Sequence, residues 1–201
     1  LFYDLSTLKM INKTELFESA QCVLNDIETI LYYNSTGSYY LPEDCGGELT
    51  YKFFGQDLTV EFDWEETDAF ETNLVLGDYY NNESTIKISL RNSCQIDFDT
   101  ISNIGEVVTH EMTHWLQEMD GVIFPNAENI DDDKYYLQQH EIEAQYYGFE
   151  FQSRYLNTTL EEAVDRWFRK YAQFHNFQNN EKFKKNLLTQ FNEFSQKELY
   201  T

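Results

Sequence analysis

Residues 107–119 read VVTHEMTHWLQEM, a His-Glu-x-x-His run inside an apolar repeat of helical period. Helical residues four apart lie one above the other on a single face. The imidazoles of His110 and His114 therefore point the same way and can reach one divalent cation, with Glu111 beside them in reach of a water there. With 4 histidines in 201 residues, a chance match of this form is expected on the order of once per hundred such sequences. The pattern fits metal-assisted hydrolysis.

Two imidazoles are not a complete site, because catalytic zinc takes three protein ligands and leaves the fourth position to water. Residues 134–151, KYYLQQHEIEAQYYGFEF, offer His140, Glu141 and Glu143. Read as part of a helix over 134–155, the segment has one most apolar stripe: Leu137, Glu141, Ala144, Gly148, Phe151 and Tyr155. Glu141 is its charged member. A carboxylate on a core-facing stripe is costly unless paired or bound to a metal, whereas Glu143 shares a more polar face with Tyr136, His140, Tyr147, Glu150 and Arg154. Periodicity selects Glu141; the plain alternative is a partly buried carboxylate held by an arginine or by backbone donors. Ala144 and Gly148 are small enough for this helix to approach the His110 helix closely.

Upstream, Leu16, Ala20, Val23, Leu24, Ile27, Ile30 and Leu31 recur at helical spacing between Asn12 and Tyr33, with Asn12 and Glu15 as a capping pair. The period then changes to two. Leu49, Tyr51 and Phe53 alternate, as do Leu58, Val60, Phe62 and Trp64, with Gly55, Gln56 and Asp57 as the hairpin between them. Asn73–Tyr79 and Thr85–Leu90 read as two more strands joined by a turn. From about Asp99 the pattern is helical to the end, with stripes from Ile101 to Met119, Lys134 to Tyr155, Leu160 to Tyr171 and Glu181 to Tyr200; Thr159 and Glu162 form a capping box. The expected architecture is α+β in one domain over residues 1–201: an N-terminal helix, a small mostly antiparallel sheet of three or four strands, the His110 helix, then C-terminal helices.

Composition narrows the partners. Lys and Arg number 14 against 36 Asp and Glu, so 14 − 36 = −22. Nucleic acid is bound largely by cations that neutralise phosphate, so this charge argues against a nucleic-acid partner, and equally against an anionic membrane. A basic protein or peptide suits it better, and the acidity also keeps a protein soluble. Cys22, Cys45 and Cys94 match no cysteine-based zinc motif and are expected as thiols. Asn-x-Ser/Thr triplets begin at Asn12, Asn34, Asn82 and Asn157 and matter only to a secreted chain. LFYDLSTLKM at the start has neither the basic residues nor the apolar run of a signal peptide, and a cytoplasmic location is expected, the host cytoplasm for a viral protein. Glu128 and Asp131–Asp133 lack the glycine and distal glutamate of a calcium loop. His175 and the tryptophans Trp64, Trp115 and Trp167 are expected to be structural.

HEMTHWLQ, followed 141 − 114 = 27 residues later by EIEA, resembles the HExxH plus E-x-x-A arrangement of compact gluzincin-like metallopeptidases, the ImmA/IrrE type and phage-encoded relatives among them. The resemblance is specific over residues 107–148 and architectural elsewhere. It implies a zincin-like fold and a Zn²⁺ held by His110, His114 and Glu141. Glu111 would be the base of a metal-activated water that hydrolyses a peptide bond. Some relatives carry Asp where this chain has Gln145, and Gln117 stands where a metzincin would have Gly. A phenol from Tyr135, Tyr136, Tyr146 or Tyr147 would stabilise the oxyanion, and Thr85–Leu90 would be the edge strand holding an extended peptide. A rival expectation keeps the scaffold without catalysis: a binding protein, or a viral accessory or structural protein, that retains the metal site. A protease of DNA-protein crosslinks would need a basic surface that this composition lacks.

Overall fold

The N-terminal amphipathic pattern folds as helix α1, Lys13–Ile30. Asn12 caps it: its Oδ1 accepts from the Glu15 amide at 3.3 Å, and its Nδ2 donates to Glu15 Oε2 at 3.4 Å, so two polar groups at the helix start satisfy each other. Leu16, Ala20, Val23, Leu24 and Ile27 are fully buried. The helix stops three residues short of Tyr33, because Leu31 turns extended and Tyr32–Tyr33 pair as strand β1. A computed structural model describes residues 11–33, 39–40, 46–65, 74–80, 83–91, 95–124, 131–175 and 177–199. Cys45, Cys94, Glu128 and the triplet asparagines Asn34 and Asn82 lie outside the described residues; Cys22 is an exposed thiol. The chain divides into two compact units, Leu1–Ile123 and Phe124–Thr201.

In the first unit β1 pairs with β2 (Tyr39–Tyr40), which pairs with the late strand β7 (Gln95–Ile96), all antiparallel. The main sheet holds β3 (Gly46–Phe53), β4 (Gln56–Glu65), β5 (Leu74–Tyr80) and β6 (Thr85–Arg91) in the order β3-β4-β6-β5. The β3–β4 hairpin turns at Phe54 (φ 51) and Gly55 (φ 78), one residue before the expected Gly55–Asp57. Two successive left-handed residues match the twist of the flanking strands. Glycine takes this conformation freely and phenylalanine does not; the Phe54 ring packs edge-on against Trp115 at 6.1 Å.

β4 and β6 run parallel, while β3–β4 and β5–β6 are antiparallel. The sheet is therefore mixed. Thr85–Leu90, expected as the free edge, is instead interior: β6 is bonded on both sides, and Ile86, Ile88 and Leu90 are fully buried. Among the described residues the end strands are β3 and β5, and α2 packs on β5. The exposure of β5 alternates, with Leu76, Asp78 and Tyr80 outward.

Helix α2, Phe98–Met119, packs on α1 and against β5 and β6. Its N-cap Asp97 accepts from the amide and the hydroxyl of Thr100, at 2.8 and 2.7 Å. Its C-terminus closes on Gly121 (φ 84), with Gly121 N–H donating to Glu118 O at 2.8 Å and Val122 N–H to Gln117 O at 2.9 Å. A left-handed glycine with this bond pair ends a helix while satisfying carbonyls that the helix itself leaves open. Ile101, Ile104, Val108, Met112 and Trp115 form the buried stripe as expected, whereas Met119, the last of the series, is 42% exposed. Buried hydroxyls on α2 bond back to its own carbonyls: Ser102 to Asp99, Thr109 to Gly105 and Thr113 to Thr109, each at 2.8 Å. Polar side chains can thus be buried along this helix without an unmet donor.

The second unit holds α3 (Asp132–Tyr135), α4 (Gln139–Leu156), α5 (Leu160–Tyr171), a 3-10 turn (Ala172–Phe174) and α6 (Asn180–Leu199). The single helix expected from Lys134 to Tyr155 is broken. Gln138 is extended (ψ 149), and the Tyr136 carbonyl is taken at 3.0 Å by the Gln145 side chain. Leu137 accordingly falls outside α4. The helix is buried on more than one face: Tyr147, on the side expected to be polar, is fully buried and donates to Glu198 Oε1 at 2.6 Å. The Thr159–Glu162 capping box opens α5 as expected. His175 stacks on Trp167 at 5.3 Å and on Phe177 at 5.2 Å, a packing position. Trp115 is core, while Trp64 and Trp167 are half-buried. Among the described residues six α-helices and the mixed sheet make an α+β fold, and no helix there is long and apolar enough to cross a membrane.

Candidate metal centre

The helical spacing of His110 and His114 brings their rings to 4.7 Å between centroids, with Nε2 facing Nε2 at 3.0 Å. Glu111 joins them: one ligand atom from each of the three residues lies within 4.8 Å of the others. His114 and Glu111 are each 7% exposed and His110 is half-buried. Two imidazole nitrogens and a carboxylate are a donor set suited to zinc. Ligand atoms around tetrahedral zinc are about 3.3 Å apart for Zn–N bonds of about 2.05 Å, so the Nε2 pair needs an opening of only a few tenths of an ångström. The cluster can hold a metal ion.

The neighbours of the cluster position its parts. His114 Nδ1 lies 2.9 Å from Gln117 Oε1, and Gln117 is 1% exposed. On the other flank β5 approaches α2 through Gly77. A Cβ there would lie 2.7 Å from Glu111 Oε1 and 2.8 Å from Glu111 Cγ, and would collide with Val107 Cγ1. Two residues on, the Tyr79 hydroxyl donates to Glu118 Oε2 and ties the same strand to the next turns of the helix. Burial first, then that bond, push the Tyr79 phenol up. One helical turn before His110, Glu106 is 5% exposed, and burial followed by the charge of Glu111 pushes its carboxyl up to about 8. Its neutral form prevails at neutral pH.

His110, Glu111 and His114 are thus brought together within the first unit. Glu141 belongs to the second unit, on α4, where it is 2% exposed with Oε1 3.5 Å from His140 Nε2. Glu143, two residues on, is half-buried. Of the four tyrosines expected as phenol donors, Tyr147 is committed to Glu198 and the Tyr136 hydroxyl lies 3.5 Å from His175 Nδ1. Tyr146 packs among Tyr147, Phe191 and Phe194, while the Tyr135 ring meets that of His140 edge-on at 6.4 Å. Sequence reasoning missed Gln117, Gly77 and Glu106. Gln117, three residues after His114 on a helix, was within reach of the spacing rule; Gly77 and Glu106 act through packing that no local pattern encodes. No family model, curated protein or solved structure matches the chain.

Proposed function

We propose that the chain is a zinc-dependent metallopeptidase in which His110, His114 and Glu141 hold the metal and Glu111 is the general base. One observation carries the reading: two helix-borne imidazole nitrogens converge to 3.0 Å beside a carboxylate seated against the end of a sheet. Zinc, when bound, polarises the scissile carbonyl and lowers the pKa of water to about 7. Glu111 takes the proton of the attacking water and returns it to the leaving amine. At 7% exposure its carboxylate works where interactions between charges are stronger than in water. Glu141 enters as third ligand from the E-x-x-A resemblance, and it is 2% exposed, where a carboxylate stays charged only beside a cation or several donors.

The end strand β5 supports a peptide as substrate. An extended chain adding to the outer edge of β5 would run beside Glu111, held by main-chain hydrogen bonds. This moves the substrate strand from Thr85–Leu90 to Leu74–Tyr80, and it rests on fold analogy with other zincins. The net charge of −22 favours basic peptides by steering.

Elemental analysis tests the site. Roughly one zinc per chain is expected in the wild type, lost in Glu141→Ala and kept in Glu143→Ala. Glu111→Gln should keep the zinc and abolish peptide hydrolysis. Zinc absent after reconstitution would sink the enzyme reading. Zinc retained with no hydrolysis of basic peptides would instead favour a binding protein on the same scaffold.

A further inference from the structure

A histidine ligates through a nitrogen that carries no proton, so a metal site needs each ring in the right tautomer as well as the right place. The two nitrogens of an imidazole differ, and the bond made by one sets the state of the other. For His114 the far nitrogen faces Gln117, whose Oε1 is 2.9 Å from Nδ1. An amide oxygen only accepts, so Nδ1 carries the proton and Nε2 presents a lone pair toward His110 Nε2, 3.0 Å away. The reverse amide orientation would donate to Nδ1, leave the proton on Nε2 and disable the ligand.

Gln117 is held for this task at its backbone. Its carbonyl accepts from Val122 N–H at 2.9 Å in the bond pair that closes α2 at Gly121, and its side chain is 1% exposed. The same residue thus belongs to the helix terminus and to the ring of His114. We propose that Gln117 is a positioning residue that holds His114 in its Nδ1–H tautomer and so presents Nε2 to the metal. The inference rests on the zinc reading above and adds what prepares one of its ligands.

Outer partners of ligating histidines contribute about 10–100-fold to metal affinity. Zinc affinity, measured on the full chain by competition with a chelator, should fall by about that factor in Gln117→Met, which keeps the length and removes the acceptor. Gln117→Glu, which keeps an acceptor, should bind within a few-fold of wild type. In the metal-free protein, ¹⁵N spectra should find Nδ1 of His114 protonated in the wild type and in Gln117→Glu, and a tautomer mixture in Gln117→Met. Equal loss of zinc in both variants would mean that Gln117 acts by packing alone and would overturn the proposal, as would an unchanged tautomer and affinity in Gln117→Met. A wild-type chain that binds no zinc, yet has a Gln117-dependent tautomer, would refute the metal reading while leaving the His114–Gln117 pair intact.

Discussion

Replacing Gly77 by alanine adds one methyl group to the face of β5 that meets Glu111. Without relaxation its Cβ would lie 2.7 Å from Glu111 Oε1 and 2.8 Å from Glu111 Cγ, and against Val107 Cγ1. Carbon contacts are favourable near about 3.5–4.0 Å, so the neighbours must yield by roughly 0.7–1.3 Å. Val107 is β-branched on a helix and has essentially one rotamer. The longer Glu111 side chain is the part that gives way. A displacement of about 1 Å at a reacting group costs about 100-fold in rate, and overpacking a filled site costs about 1–3 kcal/mol of stability. Glycine to alanine in an uncrowded strand has the opposite sign, stabilising by about 0.4–1 kcal/mol through the unfolded chain. The two effects separate cleanly in sign. Gly77→Ala should lower kcat for peptide hydrolysis by about 100-fold and lower the urea midpoint, with zinc content unchanged. Gly47→Ala is the control, because a Cβ there meets nothing within 4 Å, and it should be neutral or stabilising. Wild-type kcat together with an unchanged or raised midpoint in Gly77→Ala would refute the close approach of β5 to Glu111.

Two further predictions concern stability. Glu106, with its carboxyl raised from 4.5 to about 8, keeps its proton in the folded state while the unfolded chain has lost it, so stability falls as pH rises between those values, by at most about 1.4 kcal/mol per pH unit. Glu106→Gln should remove this slope in urea melts of the metal-free protein at pH 5.5 and 7.0 (about one unit inside each limit), and parallel pH dependence in the two proteins would contradict the raised value. At the start of α5 the Thr159 hydroxyl accepts from Glu162 N–H at 3.2 Å, and Glu162 accepts from the Thr159 amide at 2.9 Å. Thr159→Ala should cost about 1 kcal/mol of stability, and an unchanged melting midpoint would exclude the capping role.

The parts legible in the sequence are those whose partners sit within one or two helical turns. His110, Glu111 and His114 converge because of helical spacing alone, and Asn12 with Glu15, and Thr159 with Glu162, are capping pairs three residues apart. Strand order was not legible, because alternation assigns a residue to a face and leaves open which strand is its neighbour. β6 therefore read as a free edge when it lies between β4 and β5. The break between α3 and α4 was hidden for a related reason. The apolar period runs through Tyr136–Gln138 unbroken, and what makes the break tolerable is a side chain nine residues away, Gln145, taking the Tyr136 carbonyl. Tyr147 looked polar by position and is buried because Glu198, 51 residues on, accepts its hydroxyl.

Polar bookkeeping along α2 separates structure from chemistry more sharply than conspicuous residue types do. Ser102, Thr109 and Thr113 are as buried as the apolar stripe, yet each hydroxyl donates its proton to a carbonyl of its own helix, so the donor that would be costly to bury unmet is satisfied by the helix itself. Glu106 tolerates burial by remaining neutral. His110, His114 and Glu111 differ: their donor atoms are gathered within 4.8 Å of one another, an arrangement that helix stability does not require. Two imidazole nitrogens held 3.0 Å apart can share at most one proton, and a cation between them satisfies both lone pairs at once. Ser102, Thr109 and Thr113 are thus satisfied within the helix, Glu118 by Tyr79 of β5, and Glu106 by staying neutral, and the group gathered around a common point is the one that calls for a ligand.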